Sequence, residues 1–153
     1  MSVLAINKKA SFDYEILETY EAGLILQGQE VKSIKAGHIS LKESYVEIMK
    51  GKKGEPALFL VKAHVSPYKP AGTLPDYEPT RPRQLLLKNR EIAHLLGKKQ
   101  SVGLTLVPLK IYTKNGLIKL EFALAQGRKK YDKREVIKKR EVERQLRTLT
   151  KRR

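Results

Sequence analysis

The side chains that could do chemistry in this sequence are cations, and the chemistry open to them is the binding of polyanions. The chain carries 32 Lys and Arg against 16 Asp and Glu, a formal charge of +16. The cations come in small groups: Asn7-Lys8-Lys9, the pair Lys32 and Lys35, the pair Arg81 and Arg83, Lys119, and a run that begins with Arg128, Lys129 and Lys130. Gly127 to Arg153 alone holds thirteen Lys and Arg and four Asp and Glu, a net of +9. Phosphate is the natural counterpart of such groups, so nucleic acid is the leading partner class and an anionic membrane face the second. Residues 1–30 carry a net of −3. That acidic stretch repels phosphate and predicts that binding uses one side of the molecule. A short pair such as Lys8-Lys9 could touch phosphate or merely keep the chain soluble. Glu30 also has two readings. In the first turn of a helix it gains roughly 0.3–1 kcal/mol from the dipole; on a binding face it accepts a hydrogen bond from a base or ribose.

Catalysis finds no support in the sequence. His38, His64 and His94 stand far apart in three different contexts, and there is no cysteine. No metal-ligand spacing, glycine-rich phosphate loop or nucleophile elbow is present. The expectation is a protein that binds without an enzymatic reaction, a cofactor or a metal. The lack of cysteine is compatible with a reducing cytosol. No apolar run reaches the roughly 18 residues of a membrane span, and the N-terminal stretch has too few apolar residues for a signal peptide.

The elements that must position the cations are mostly strands. Met1 to Ser11 reads as an arm. Tyr14 and Ile16 begin an alternation that runs to Tyr20, and Glu21-Ala22-Gly23 is expected to turn the chain into a short buried strand, Leu24-Ile25-Leu26. Gly28 to Gly37 shifts to a helical period, with Val31 and Ile34 on one face, Lys32 and Lys35 on another, and Gly37 as the stop. Leu41–Met49 and Ala57–Ala63 read as strands around a Gly51–Gly54 loop. Five of the seven prolines fall within His64–Arg83, which predicts a long surface loop. Gln84–Leu87 reads as a strand end and Asn89–Leu96 as a helix ended by Gly97. Leu104–Thr113 and Leu117–Leu124 flank Asn115-Gly116, the strongest short-range hairpin cue, because both turn residues need positive φ. Pro108 implies an edge or bulge there. Ile118, Leu120, Phe122 and Leu124 share one face, with Lys119 and Glu121 on the other. About six strands and two short helices without βαβ alternation predict a small closed or partly open antiparallel β-barrel over 1–126. The oligonucleotide-binding (OB) type is its commonest RNA-binding version.

Residues 127–153 form a separate device. They hold too few apolar residues for a core of their own. Asp132 and Glu135 fit a capping pair, and Val142, Leu146 and Leu149 recur at helical spacing. Glu135–Lys139 and Glu143–Arg147 add roughly 0.2–0.5 kcal/mol each. Thirteen mutually repelling cations oppose an isolated helix. The expectation is a tail disordered when free and helical on a polyanion.

Several strings resemble those of the bacterial tmRNA-binding family, small protein B or SsrA-binding protein. They are Asn7-Lys8-Lys9-Ala10, Asp13-Tyr14, Thr19–Gly23, Gly28–Gly37, Pro67-Tyr68, Leu85-Leu86-Leu87, Gly103–Tyr112 and Gly127–Arg134. They occur in order along nearly the whole chain and are together highly specific. The resemblance implies an OB-like barrel with short flanking helices and a basic tail. It implies binding to the tRNA-like domain of tmRNA, delivery with elongation factor Tu and GTP to stalled ribosomes, and therefore a cytoplasmic place. It also implies a tail that enters the empty mRNA channel of the small subunit. There Tyr131 would stack on a decoding-centre base, and Asp132, Lys133 and Arg134 would act after tmRNA has bound. The RNA-binding residues so expected are Asn7, Lys8, Lys9, Glu30, Lys32, Lys35, Arg81, Arg83, Lys119, Arg128, Lys129 and Lys130. Ala123 stands where the family commonly has glycine, and Gln84 and Gln126 where it has basic residues. The rival readings are a general RNA-binding OB module or ribosomal protein, and a peripheral membrane protein held by a basic amphipathic helix. The tail's apolar stripe lacks Trp and Phe, which argues against the membrane.

Overall fold

The computed structural model describes residues 1–72, 75–101, 103–128 and 130–151, with backbone alone at 71, 130–133, 135, 136 and 148–151. The Asn-Gly cue is met. Asn115 and Gly116 have φ of 52° and 77°, and they join β8 (Leu104–Lys114) to β9 (Leu117–Gly127) in one long hairpin. Its register slips between Pro108 and Lys110, the bulge that proline at this position demands.

Around that hairpin the other strands close a ring. They are β2 (Tyr14–Leu24), β4 (Tyr45–Lys50), β5 (Pro56–Val61) and β7 (Arg83–Leu86). The order β8-β4-β5-β7-β2-β9 returns to β8, giving six antiparallel strands and an OB-like barrel. Inside it, Leu58, Leu106, Ile111, Leu120 and Phe122 have no exposed surface, each worth about 1.5–3 kcal/mol of burial. Ile34 of α2 (Gly28–Lys35) and Leu95 of α3 (Asn89–Lys99) join the same core. A smaller cluster of Ala10, Val107 and Ala125 lies on the outer face of the hairpin under α1 (Ala10–Asp13). Small residues at Ala123 and Ala125, both fully buried, let β9 pack on both faces.

Several expectations are corrected. The first residues are no loose arm: Ser2–Ile6 is a strand, β1, which pairs with the far half of β8. Glu21-Ala22-Gly23 does not turn, because all three pair with β9 and carry β2 straight through. Ile25 is 47% exposed rather than a buried strand centre. Gly97 does not end its helix, which continues to Lys99. The proline-rich stretch holds β6 (His64–Val65), which pairs with β3 (Ile39–Ser40), and a short 3-10 turn at Lys69–Ala71. The sheet therefore has seven strands counting β1, with a two-stranded ribbon beside it. Gly127 still belongs to β9, and the Arg128 amide donates to the Asp13 carbonyl at 2.9 Å. The barrel thus extends past residue 126. Beyond it, Lys130–Lys151 form one helix, α4.

Candidate nucleic-acid interface

Glu30 organises the first part of the site, from inside. Gln27 precedes α2, and its amide donates to Glu30 Oε1 at 2.8 Å. Arg81 Nη2 donates to the same oxygen at 2.5 Å, and Arg83 Nε donates to Oε2 at 2.6 Å. Arg83 also donates to the carbonyls of Ala63 at 2.8 Å and Pro79 at 3.0 Å. One carboxylate thus ties α2 to β7 and to the loop before it. Burial alone would raise the Glu30 carboxyl, but hydrogen bonds from Arg81, Gln27 and Arg83 hold it below the ordinary carboxylate value. Glu30 and Arg83 are 0% and 1% exposed, so neither presents the RNA contact expected of it. Their charges satisfy each other. Arg81 keeps 32% of its side chain exposed and can still face a ligand.

The triad fixes α2 so that Lys32 and Lys35 point outward. Lys32 Nζ lies 5.6 Å from the centroid of the Tyr68 ring. Lys35 and Lys119 both line a groove of about 240 Å³ between α2, β2 and the hairpin tip. Its floor is apolar, with Leu24, Leu26 and Val31, and its rim carries Leu86 and Leu117 at 55% and 61% exposure. A Cβ at Gly23 would sit 3.5 Å from Leu86 and 3.8 Å from Lys119 Nζ. Those are ordinary contact distances, so a small side chain would fit there. A groove lined by two lysines and several apolar side chains suits RNA, whose phosphates take the charge while an unpaired base covers the apolar part. Leu86, Leu117 and Tyr68 were not singled out from the sequence, where Leu86 belongs to an apolar strand end, Leu117 opens a strand and Tyr68 falls in the proline-rich loop.

The other predicted residues gather elsewhere. Asn7 is a clamp: its amide donates to the Leu109 carbonyl at 2.8 Å and its Nδ2 to that of Pro108 at 2.9 Å. It holds β1 onto the bulge and leaves Lys8 and Lys9 exposed. Arg128 is half-buried beside α1. Lys129 lies outside the described residues. For Lys130, Tyr131, Asp132 and Lys133 the helical backbone alone is described, and Arg134 is exposed. Further along α4, Arg140 donates to Ser11 Oγ at 2.7 Å.

Two further carboxylates of the acidic first stretch, Glu18 and Glu21, have internal partners. Tyr20 donates to Glu18 at 2.5 Å, and His94 Nε2 lies 3.0 Å from the same carboxylate. These bonds, Tyr20's first, hold Glu18 below its ordinary value. Glu21 accepts from Tyr112 and lies 3.5 Å from Lys114. All three histidines are exposed. Among the described residues no group of three or more His, Cys, Asp or Glu could hold a metal ion.

Comparison with known proteins agrees with this geometry. The model of the family described as SmpB protein matches residues 4–152. An SsrA-binding protein of Thermosipho melanesiensis is 50% identical over 152 residues, covering 99% of each chain. Those of Persephonella marina and Geobacillus kaustophilus are 49% and 51% identical, over 95% and 94% of this chain and 92% and 89% of theirs. A solved structure described as "tmRNA-SmpB: a journey to the center of the bacterial ribosome" superposes with a TM-score of 0.64 at 41% identity, over 86% of this chain and 92% of that one. A six-stranded ring, an outward pair of lysines on α2 and a match of this extent have one reading: the chain belongs to the SmpB protein family.

Proposed function

We propose that this protein is a tmRNA-binding factor of trans-translation. The observation that carries the reading is the groove that Lys35 and Lys119 line together with Leu24, Leu26 and Val31, in a chain about half identical to SsrA-binding proteins along their length. The barrel binds the tRNA-like domain of tmRNA through this face, with Lys32 and Arg81 beside it. It does so without an enzymatic step. The complex travels with elongation factor Tu and GTP, which it meets through tmRNA, to stalled ribosomes in the cytoplasm.

The tail supplies the ribosomal half of the task. Residues from Lys129 onward enter the vacant mRNA channel, with Tyr131 against a decoding-centre base and Asp132, Lys133 and Arg134 acting after tmRNA has docked. Base–aromatic stacking is worth about 1–3 kcal/mol. Support comes from the character of α4, whose residues 137–147 are exposed and strongly basic. No helix among the described residues is long and apolar enough to cross a membrane.

The test is competitive binding at fixed, near-physiological salt, since phosphate-driven affinity falls steeply as salt rises. Labelled tRNA-like domain is challenged with excess bulk tRNA and unrelated hairpins. Resistance to competition is the expected result. Equal competition by every RNA would reduce the protein to a general RNA-binding module.

A further inference from the structure

Lys119 stands on the outer face of β9 among groups of both signs. The ladder sets it between Gly23 of β2 and Tyr112 of β8. Two positions along, Glu21 faces Glu121 across β2 and β9. Residues two apart on a strand share a face, so both carboxylates lie on the face that Lys119 uses to line the groove. A carboxylate with no partner of its own there would compete with phosphate for that ammonium group. Both have partners. Glu121 lies 3.3 Å from Lys110 Nζ. Glu21 accepts from the Tyr112 hydroxyl and lies 3.5 Å from Lys114 Nζ. Tyr112 is 3% exposed, and a buried phenol of this kind needs an acceptor. The Tyr112 bond, followed by the charges of Lys114 and Lys119, holds the Glu21 carboxyl below its ordinary value against desolvation. Desolvation and Glu21 raise the Tyr112 phenol, which keeps its proton and donates it. Lys119 is thus near enough to feel Glu21. Its Nζ nevertheless sits against Gly23, 3.8 Å from where a Cβ would stand, and Gly23 lines the groove while Tyr112 and Glu21 do not.

On the reading of the groove as the tmRNA-binding face, we propose that Tyr112 is a positioning residue for RNA binding: its hydroxyl, with Lys114, tethers the Glu21 carboxylate and so keeps Lys119 available to phosphate. Without the hydroxyl the carboxylate loses a donor, and Lys119 is the cation beside it at the edge of the groove. A Glu21–Lys119 ion pair would then have to break before phosphate could bind. Tyr112→Phe changes no charge and keeps the ring, which has Lys110 Nζ 5.5 Å from its centroid. Its effect on RNA affinity therefore reads what the released carboxylate does.

The experiment titrates the full-length protein with labelled tRNA-like domain at several salt concentrations. Tyr112→Phe is expected to bind about two- to fivefold more weakly, the strength of a competing exposed ion pair, with a salt slope lower by up to about one. Glu21→Gln is expected to stay within about twofold of wild type, yet to bring Tyr112→Phe back to that level. In a Lys119→Ala protein, which itself binds more weakly, Tyr112→Phe should have no further effect. Lys114 is exposed, so Lys114→Gln folds even if Tyr112→Phe does not, and it runs the same cycle through the second tether. Glu21→Gln should gain more affinity in that background than in wild type. Full affinity in Tyr112→Phe, or equal gains from Glu21→Gln in every background, would overturn the proposal. So would a loss in Tyr112→Phe that Glu21→Gln leaves unrepaired, which marks a purely structural role. Wild-type affinity in Lys119→Ala would bring down the groove reading and the tether together, whereas a loss there without one in Tyr112→Phe brings down the tether alone.

Discussion

Replacing Glu30 with alanine should destabilise the barrel far more than a surface acid would. The side chain is fully buried and accepts hydrogen bonds from Gln27, Arg81 and Arg83. Its removal strands the Arg83 guanidinium, 1% exposed, without a counter-charge. Breaking a buried pair from one side costs about 3–5 kcal/mol. At about 2–4 °C per kcal/mol for a chain of this size, the melting temperature falls by about 6–20 °C. Glu30→Gln keeps an acceptor for Arg83 and loses only the charge, so it should fall between wild type and alanine. Thermal unfolding followed by circular dichroism at neutral pH gives the ranking. The pH dependence gives a second reading. The folded carboxyl lies below its ordinary value of 4.5. Its contribution is therefore full above that value and is lost as pH falls through the folded one. The gap between wild type and Glu30→Gln should close in that acid window. A loss under about 1 kcal/mol for the alanine variant, or a gap that stays constant into acid, would refute the account of the triad.

Lys35→Glu and Lys119→Glu should each weaken binding of the tRNA-like domain and lower its salt slope by about one, measured by titration across several salt concentrations. Gly37 has φ of +85° with open space around a Cβ, so Gly37→Ala should cost only the backbone term of about 1–2 kcal/mol in urea unfolding. Cutting the chain after Arg128 keeps its amide bond to Asp13. That truncation should retain tmRNA binding and abolish tagging of stalled peptides in a reconstituted translation assay; intact tagging would separate the tail from the ribosome. A peptide of the tail should gain helical dichroism on adding RNA, and equal high helicity in both samples would defeat the folding-on-binding idea.

What the sequence displayed well was local. The Asn115-Gly116 turn, the alternation of β9 and the stop at Gly37 each depend on neighbours within a few positions, and each reappears in the fold. What it hid was distant. Ser2 pairs with Thr113, so nothing near the N-terminus announces a strand. Glu30 meets partners 51 and 53 positions away, which made three charges look like ligands when two of them are core. Glu21-Ala22-Gly23 has turn composition, yet pairing with β9 overrides it. The basic half of the groove was legible in Lys35 and Lys119. Its apolar half was not, because an exposed leucine at a rim and a buried one in a core are the same letter.

Closure of the ring also dictates when the protein can exist during its own synthesis. β2 is finished early, but its long partner is β9, and the register joins Tyr14 to Gly127. Until the hairpin has emerged, one edge of β2 has no ladder, and such edges invite pairing with other chains. Pairings of this sequence separation fold slowly and leave intermediates exposed. A nascent chain released before Gly127 would therefore be an open sheet and an aggregation hazard, with the full barrel locking only as the basic helix leaves the exit tunnel.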